Sequence, residues 1–393
     1  MKILYVTTIS NTINAFLIPH IKLLIEQGNQ VGLGFNTVQE ISPELIELGC
    51  KVHHVEFQRS PFKKANHIAY KKIKRIVIEE GYKLVHVHTP VASFVTRFAC
   101  RNIPDIKMVY TAHGFHFFKG APRKNWILYH SLEKIAARWT DALITMNEED
   151  YKSAKKLKLR NSGTTFKVHG VGLDLKKFSP QTIQEKNKLR KEYGFNSQDF
   201  ILINVGELCY RKHQDLLIKS LYILKDRIPA IKLLLVGDGE MLSVYKELVK
   251  RLGIEKKVEF LGFRQDIPDL MLISDIAIST SRQEGLPVNV MEAMATGLPL
   301  VVTDCRGNRD LVSSGENGIV VDLNDSQICA NAIEKLYKSK ELRGNFINKS
   351  QDYIKEYSVE NVLCEMKEIY SLFSNVRLRE EGPNHNRSMV HNQ

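Results

Sequence analysis

Short apolar runs alternate with helical patterns along almost the whole chain, and that alternation leaves few folds open. In the first half, residues 3–6, 31–35, 52–55, 84–87, 108–110, 142–145 and 166–168 read as strands. Helical patterns fill the intervals at 15–26, 43–48, 67–80, 91–101, 125–140 and 148–156. Strand and helix in turn predict βαβ units, a parallel sheet and an open doubly wound domain. After a polar linker and entry helix at 181–194, the theme repeats. Strands are expected at 200–205, 232–236, 258–261, 276–279, 300–303 and 318–321, and helices at 214–227, 240–252, 267–273, 288–295 and 327–339. A chain of 393 residues is too long for one ordinary core, so two domains are expected, at 1–180 and 195–355. A last helix in 356–375 crosses back to the first domain, and the polar tail 376–393 is expected to be disordered. Two such sheets open their strand ends onto a shared cleft, where ligands of this fold class bind.

Composition narrows the setting. Hydrophobic content of 43% and charged content of 25% are those of a soluble globular protein. No apolar run approaches the ~20 residues that span a bilayer. The apolar start at Met1-Lys2-Ile3 gives way at once to polar Thr7-Thr8, too soon for a signal peptide, so a cytoplasmic chain is expected. Six cysteines without a Cys-x-x-Cys pair argue against zinc and against a disulfide framework. Charge is uneven: residues 1–180 hold 27 Lys+Arg against 14 Asp+Glu, a net of +13, and the remainder holds 29 against 30, a net of −1. A basic half suits an anionic partner. No nucleic-acid module is visible, which leaves an anionic substrate or an anionic lipid surface.

The most informative stretch is Ser279-Thr280-Ser281-Arg282-Gln283-Glu284-Gly285-Leu286-Pro287-Val288-Asn289-Val290-Met291-Glu292. It follows the apolar run Asp275-Ile276-Ala277-Ile278, read as a buried strand, and Pro287 suits the first turn of a helix. Glu284 then lies in a loop at a strand's carboxyl end, with Glu292 about one turn into the helix. The helix N-terminus offers amides to an anion, and two carboxylates on its rim accept from hydroxyls. Glu284 and Glu292, with seven residues between them enclosing Gly285-Leu286-Pro287, resemble the Glu-x7-Glu signature of retaining glycosyltransferases of family 4. The following Ala295-Thr296-Gly297-Leu298-Pro299 strengthens the match, which extends to about Phe373. The resemblance implies a GT-B architecture and a nucleotide-sugar donor, with UDP as the expected nucleotide.

Other segments fit that frame. Strand 200–205 runs into Gly206-Glu207-Leu208-Cys209-Tyr210-Arg211-Lys212-His213, and a basic pair there suits a diphosphate. Lys212 falls where the family has its phosphate-contacting lysine. The family's arginine after the glycine is replaced by Glu207, and Arg211 is the candidate substitute. Leu261-Gly262-Phe263-Arg264 matches the loop that meets the nucleotide base, which nominates Phe263 and Arg264. In the first half, Thr111-Ala112-His113-Gly114 follows a strand, and His113 aligns with the family histidine near the reacting carbon. His86 and His88 are expected on opposite faces of their strand and read as structural. A loop at Ile9-Ser10-Asn11-Thr12-Ile13-Asn14 stands where many relatives have a Gly-Gly pair. The segment 109–122 resembles capsule and exopolysaccharide transferases within the family. No Asp-x-Asp pair appears at a strand end, so no metal cofactor is expected.

These readings converge on a metal-independent transferase of hexosyl or N-acetylhexosaminyl type. It would use a UDP-hexose or UDP-N-acetylhexosamine, with a polyprenyl-diphosphate-linked glycan as the acceptor that the resemblance implies. A UDP-sugar epimerase on the same fold and a non-catalytic partner subunit are the alternatives. Two basic segments, Pro61-Phe62-Lys63-Lys64 running to Arg75 and Arg123-Lys124-Asn125-Trp126-Ile127, suggest peripheral contact with an anionic membrane.

Overall fold

The computed structural model describes residues 1–58, 60 and 63–373, and within them two parallel sheets stand side by side. The first contains β1 (Lys2–Ile9), β2 (Gln30–Asn36), β3 (Lys51–His54), β4 (Leu84–His88), β5 (Lys107–Ala112), β6 (Ala142–Thr145) and β7 (Thr164–Lys167). Its order is β3-β2-β1-β4-β5-β6-β7. The second contains β8 (Phe200–Val205), β9 (Ile231–Val236), β10 (Val258–Gly262), β11 (Ile276–Ser279), β12 (Leu300–Thr303) and β13 (Ile319–Val321), in the order β10-β9-β8-β11-β12-β13. Every pairing is parallel. The order reverses between β1 and β4 in one sheet and between β8 and β11 in the other. In open sheets of this kind, ligand crevices lie outside the carboxyl ends of the strands at such switch points.

The central strands are buried on both faces, which is why they read as unbroken apolar runs: Ile3, Leu4, Tyr5 and Val6 of β1 are all fully enclosed. Helices supply the outer layers, and each sheet has an apolar cluster on either side. Helix Val359–Ser371 returns to the first sheet. Ser358 caps it by accepting from the Asn361 amide, and Val362, Met366, Ile369 and Tyr370 join Ile3, Tyr5, Ile21 and Leu24 in one cluster. The two crossings between domains are bonded to each other. Leu173 N–H donates to the Tyr357 carbonyl at 2.9 Å, and Val359 N–H donates to the Leu173 carbonyl at 3.0 Å.

Several local expectations fail. No loop follows β1: the chain turns helical at Ser10 and continues through a π-helical stretch, Ile13–Leu17, into helix Ile18–Glu26. His86 and His88 share one face of β4 with ring centroids 4.2 Å apart, because residues two apart on a strand project to the same side. Helix Lys340–Tyr353 was not foreseen; only Phe346 and Ser350 of it are buried, and its polar sequence carries almost no apolar stripe. In helix Ala65–Glu79, Ala69 faces the core with Ile73 and Val77, which leaves Ile68 and Ile78 exposed among the bases. Pro61, Phe62 and the expected disordered tail lie outside the described residues. Among the described residues, no helix is long and apolar enough to cross a membrane, and all six cysteines are unpaired.

Candidate active site

The second sheet offers its site at the ends of β8 and β11. Two loops leave these strands and bond to each other: Thr280 Oγ1 donates to the Lys212 carbonyl at 3.1 Å, and Arg282 N–H donates to the Arg211 carbonyl at 2.9 Å. This stitching brings three charged side chains together. Glu284 Oε1 accepts from Lys212 Nζ at 2.7 Å and from Ser281 Oγ at 2.6 Å, while Oε2 accepts from Arg211 Nη1 at 3.3 Å. Burial pushes the Glu284 carboxyl up, yet the charges of Lys212 and Arg211 and the bonds from Lys212 and Ser281 outweigh it. The group is held below its ordinary value. It is therefore an ionised carboxylate at neutral pH, only 7% exposed.

Gly206, at the end of β8, lets this packing happen, since a Cβ there would press on the Lys212 stem at 3.2 Å. Glu207 is exposed and its side chain makes no bond to the cluster, whereas Arg211 reaches Glu284. Pro287 takes the N-cap position of helix Val288–Thr296, one residue before the expected first turn, with its carbonyl accepting from Val290 and Met291. The amides of Val288 and Asn289 precede those bonds and face the orphan condition of any helix start. Asn289 Nδ2 ties the helix to the Val205 carbonyl at 2.8 Å.

Glu292 stands apart from the cluster. Among the described residues its carboxylate has no hydrogen-bond partner, and burial pushes it up to about 7 against a weaker pull from Lys177. Phe263 and Arg264 follow the edge strand β10. Phe263 is 82% exposed, free to stack on a planar ring, while Arg264 is tied to Asp266. Leu286 packs against apolar clusters of both domains, and so bridges the two cores.

The first domain contributes the end of β5. His113 Nε2 lies 3.0 Å from His88 Nδ1, and burial, with some help from His20, lowers His113 to about 4. The imidazole is neutral at physiological pH. Its backbone meets the second domain directly: a Cβ at Gly285 would overlap the His113 carbonyl oxygen, and one at Gly114 would come within 3.1 Å of Gly285 Cα. Glycine is required at 285 because backbone passes against backbone across the cleft.

A second cross-cleft contact was not anticipated from the sequence. Arg306, in the turn after β12, forms a fully enclosed pair with Asp150 at 2.5 Å. It also donates to the Phe115 carbonyl at 2.9 Å and to the Glu284 carbonyl at 2.9 Å. Asn147, which caps helix Glu148–Ala154, adds a bond to the Gly285 carbonyl at 3.0 Å. Burial pushes the Asp150 carboxyl above its usual range despite the Arg306 charge beside it. Arg306 therefore joins the Glu284 loop, the His113 loop and a first-domain helix. The only sequence signal was a polar turn, Cys305-Arg306-Gly307, at another strand end. Among the described residues, no group of three or more His, Cys, Asp or Glu side chains is arranged to hold a metal ion.

Comparison with known proteins adds context. The family model described as "Glycosyl transferases group 1" matches residues 185–353, and "Glycosyl transferase 4-like" matches residues 2–147. A putative glycosyltransferase, EpsD, of Bacillus subtilis (strain 168) is 37% identical over 383 residues, covering 97% of this chain and 99% of that one. An Escherichia coli UDP-Gal:alpha-D-GlcNAc-diphosphoundecaprenol alpha-1,3-galactosyltransferase is 29% identical over 77% of each chain. Among solved structures, Anabaena HepE in complex with UDP and glucose superposes with a TM-score of 0.78 at 24% identity, covering 95% of this chain and 100% of that one.

Proposed function

This chain belongs to the group 1, 4-like glycosyl transferases, and from that premise we propose that it moves a hexose or N-acetylhexosamine from a UDP-sugar to a polyprenyl-diphosphate-linked glycan in exopolysaccharide or capsule synthesis, with retention at the anomeric carbon. The observation that carries this reading is the Lys212–Glu284–Arg211 cluster facing the His113 loop. In the free protein the three charges satisfy one another. An arriving diphosphate competes for Lys212 and Arg211 and draws them from Glu284, since charge-assisted bonds to phosphate are strong. The released carboxylate then holds sugar hydroxyls and stabilises positive charge as it builds at the anomeric carbon.

In this reading Glu292 accepts from the ribose hydroxyls, which gives its unpaired carboxylate a partner. Phe263 stacks on the base, with Arg264 beside it, and His113 bonds the donor sugar. The acceptor oxygen attacks the anomeric carbon as the bond to the leaving phosphate breaks, and that phosphate takes the acceptor's proton. Lys212 and Arg211, together with the helix amides, meet the diphosphate charge, so no divalent ion is called for. The choice of UDP and of a lipid-linked acceptor is supported by the substrates in the Escherichia coli relative's name.

An acceptor of that kind brings the protein to the inner leaflet. Exposed Trp126 and Ile127 beside Arg123 and Lys124, with the +13 charge of the first half, support peripheral contact with anionic headgroups. Incubating the protein with a panel of UDP-sugars and a polyprenyl-diphosphate glycan, with and without EDTA, tests the proposal. One donor is expected to yield an extended glycan of retained anomeric configuration and free UDP, unaffected by chelator. Conversion of a UDP-sugar without acceptor would make the protein an epimerase, and failure of every UDP-sugar to bind would make it a non-catalytic subunit. Equal recovery in the supernatant with anionic and neutral liposomes, at low and high salt, would remove the membrane contact alone.

A further inference from the structure

Strand β4 ends in a histidine that the transfer reaction has not yet used. His88 is 2% exposed, stacks on Tyr5 and lies tilted against His86. Its Nδ1 meets His113 Nε2 at 3.0 Å, while its Nε2 is enclosed and has no partner among the described residues. His88 lines a narrow cavity of about 10 Å³ with Tyr5, His20, His86 and His113, at the lower limit of the room a single water needs. Neighbouring His86 is fully engaged, with Nδ1 2.7 Å from the Tyr370 hydroxyl and Nε2 2.8 Å from Thr111 Oγ1.

Burial lowers both His88 and His113 well out of the range where a second proton would bind at neutral pH. One hydrogen therefore lies between the two facing nitrogens, and it belongs to one ring or the other. If His113 donated it, the hydrogen of His88 would sit on Nε2, an enclosed N–H with no acceptor among the described residues. If His88 donates it, only a lone pair is left unmatched at Nε2. Orphaned buried N–H groups are the rarer and costlier case. The second arrangement wins, and it puts the His113 hydrogen on Nδ1. Among the described residues that atom has no partner, yet it is not enclosed as His88 Nε2 is, and the backbone of its residue abuts Gly285 at the cleft.

We propose that His88 is a positioning residue: it donates from Nδ1 to His113 Nε2 and so fixes His113 as the Nδ1–H tautomer, which presents a hydrogen-bond donor to an oxygen of the bound sugar. The sugar contact rests on the transferase reading above; the tautomer does not.

Long-range ¹H–¹⁵N correlation on histidine-labelled protein, with the His113 signals assigned by their loss in His113→Gln, reads the tautomer without any substrate. Wild-type protein is expected to show His113 as Nδ1–H. His88→Leu is expected to shift His113 toward the Nε2–H form and to lower kcat at least about 10-fold with UDP affinity unchanged. His88→Asn, whose amide offers N–H from nearly the same place, is expected to restore both. An Nε2–H form in the wild type would overturn the proposal even if transfer proceeds as described. An Nδ1–H form combined with full activity in His88→Leu would overturn the positioning role.

Discussion

Glu284 and Lys212 share one hydrogen bond in the resting site, yet a change in each has a different expected result. Glu284→Gln keeps the shape and loses the charge, so turnover is expected to fall about 10²-fold or more while UDP affinity stays within a few-fold. Lys212→Ala removes a charge-assisted phosphate contact worth about 1.5–3 kcal/mol, and calorimetry should read a loss of UDP affinity of roughly 10- to 100-fold. Near-normal turnover in the first variant, or unchanged affinity in the second, removes the assigned role. Glu292 predicts a pH dependence. Its free carboxyl titrates at about 7, and bonds from ribose hydroxyls favour the ionised form, so binding a UDP-sugar lowers that value and releases a proton. Affinity is therefore expected to be level above pH 7 and to fall as pH drops below it, and Glu292→Gln should flatten the profile. A wild-type profile flat from pH 5.5 to 8 would show that the ribose is held elsewhere.

Among the elements, helix Val359–Ser371 depends most on one polar contact. The Tyr370 hydroxyl is bonded to Tyr5 at 2.5 Å and to His86 at 2.7 Å, all three groups enclosed. Tyr370→Phe strands two buried polar groups and should destabilise the first domain by about 1–3 kcal/mol, read as faster amide exchange in β1 and β4. Unchanged exchange there would mean that the Tyr370 hydroxyl does not hold the helix in place. The strands themselves were legible because a doubly covered parallel strand is a continuous apolar run; 142–145 and 300–303 were read with the limits that β6 and β12 have. Helix Lys340–Tyr353 was not, since a helix with two buried residues leaves no periodic trace. The site divides the same way. Glu284, Lys212, Arg211 and Gly206 come from loops next to two adjacent strands and were found from motif and spacing. Asp150 and Arg306 pair across 156 residues of sequence, and no local pattern announces a partner that far away.

Across the whole molecule, the domains are joined at a contact too close for a side chain. Gly285→Ala would push a methyl group into the His113 carbonyl, and the pair can relieve it only by moving apart. The expected result is an expanded molecule in small-angle scattering and a loss of kcat/KM of about 10²-fold or more, the cost of misplacing reacting groups by an ångström or so. UDP affinity should be nearly unchanged, because Lys212, Arg211 and Glu292 all sit in one domain. A compact Gly285→Ala protein with normal kinetics would mean that working geometry is more open than this one. Arg306 and Asp150 oppose any such opening, since parting the domains breaks their enclosed pair and the bonds Arg306 makes to the Phe115 and Glu284 carbonyls.

Because the chain leaves the first domain and later returns to it, folding acquires an order in time. The cluster around Tyr5 and Ile21 is closed by Val362, Met366, Ile369 and Tyr370, which a ribosome makes only after the second domain. At synthesis rates of roughly 5–20 residues per second, the stretch from residue 180 to helix Val359–Ser371 takes on the order of 10–40 s. Throughout that interval the nascent first domain exposes an apolar groove with His86 at its floor, while the second domain is still being made. Fragment 1–180 made alone should therefore show weak amide protection in β1 and β4, and a peptide spanning 358–373 added in trans should raise it. The half of the molecule that is translated first is the half that finishes folding last.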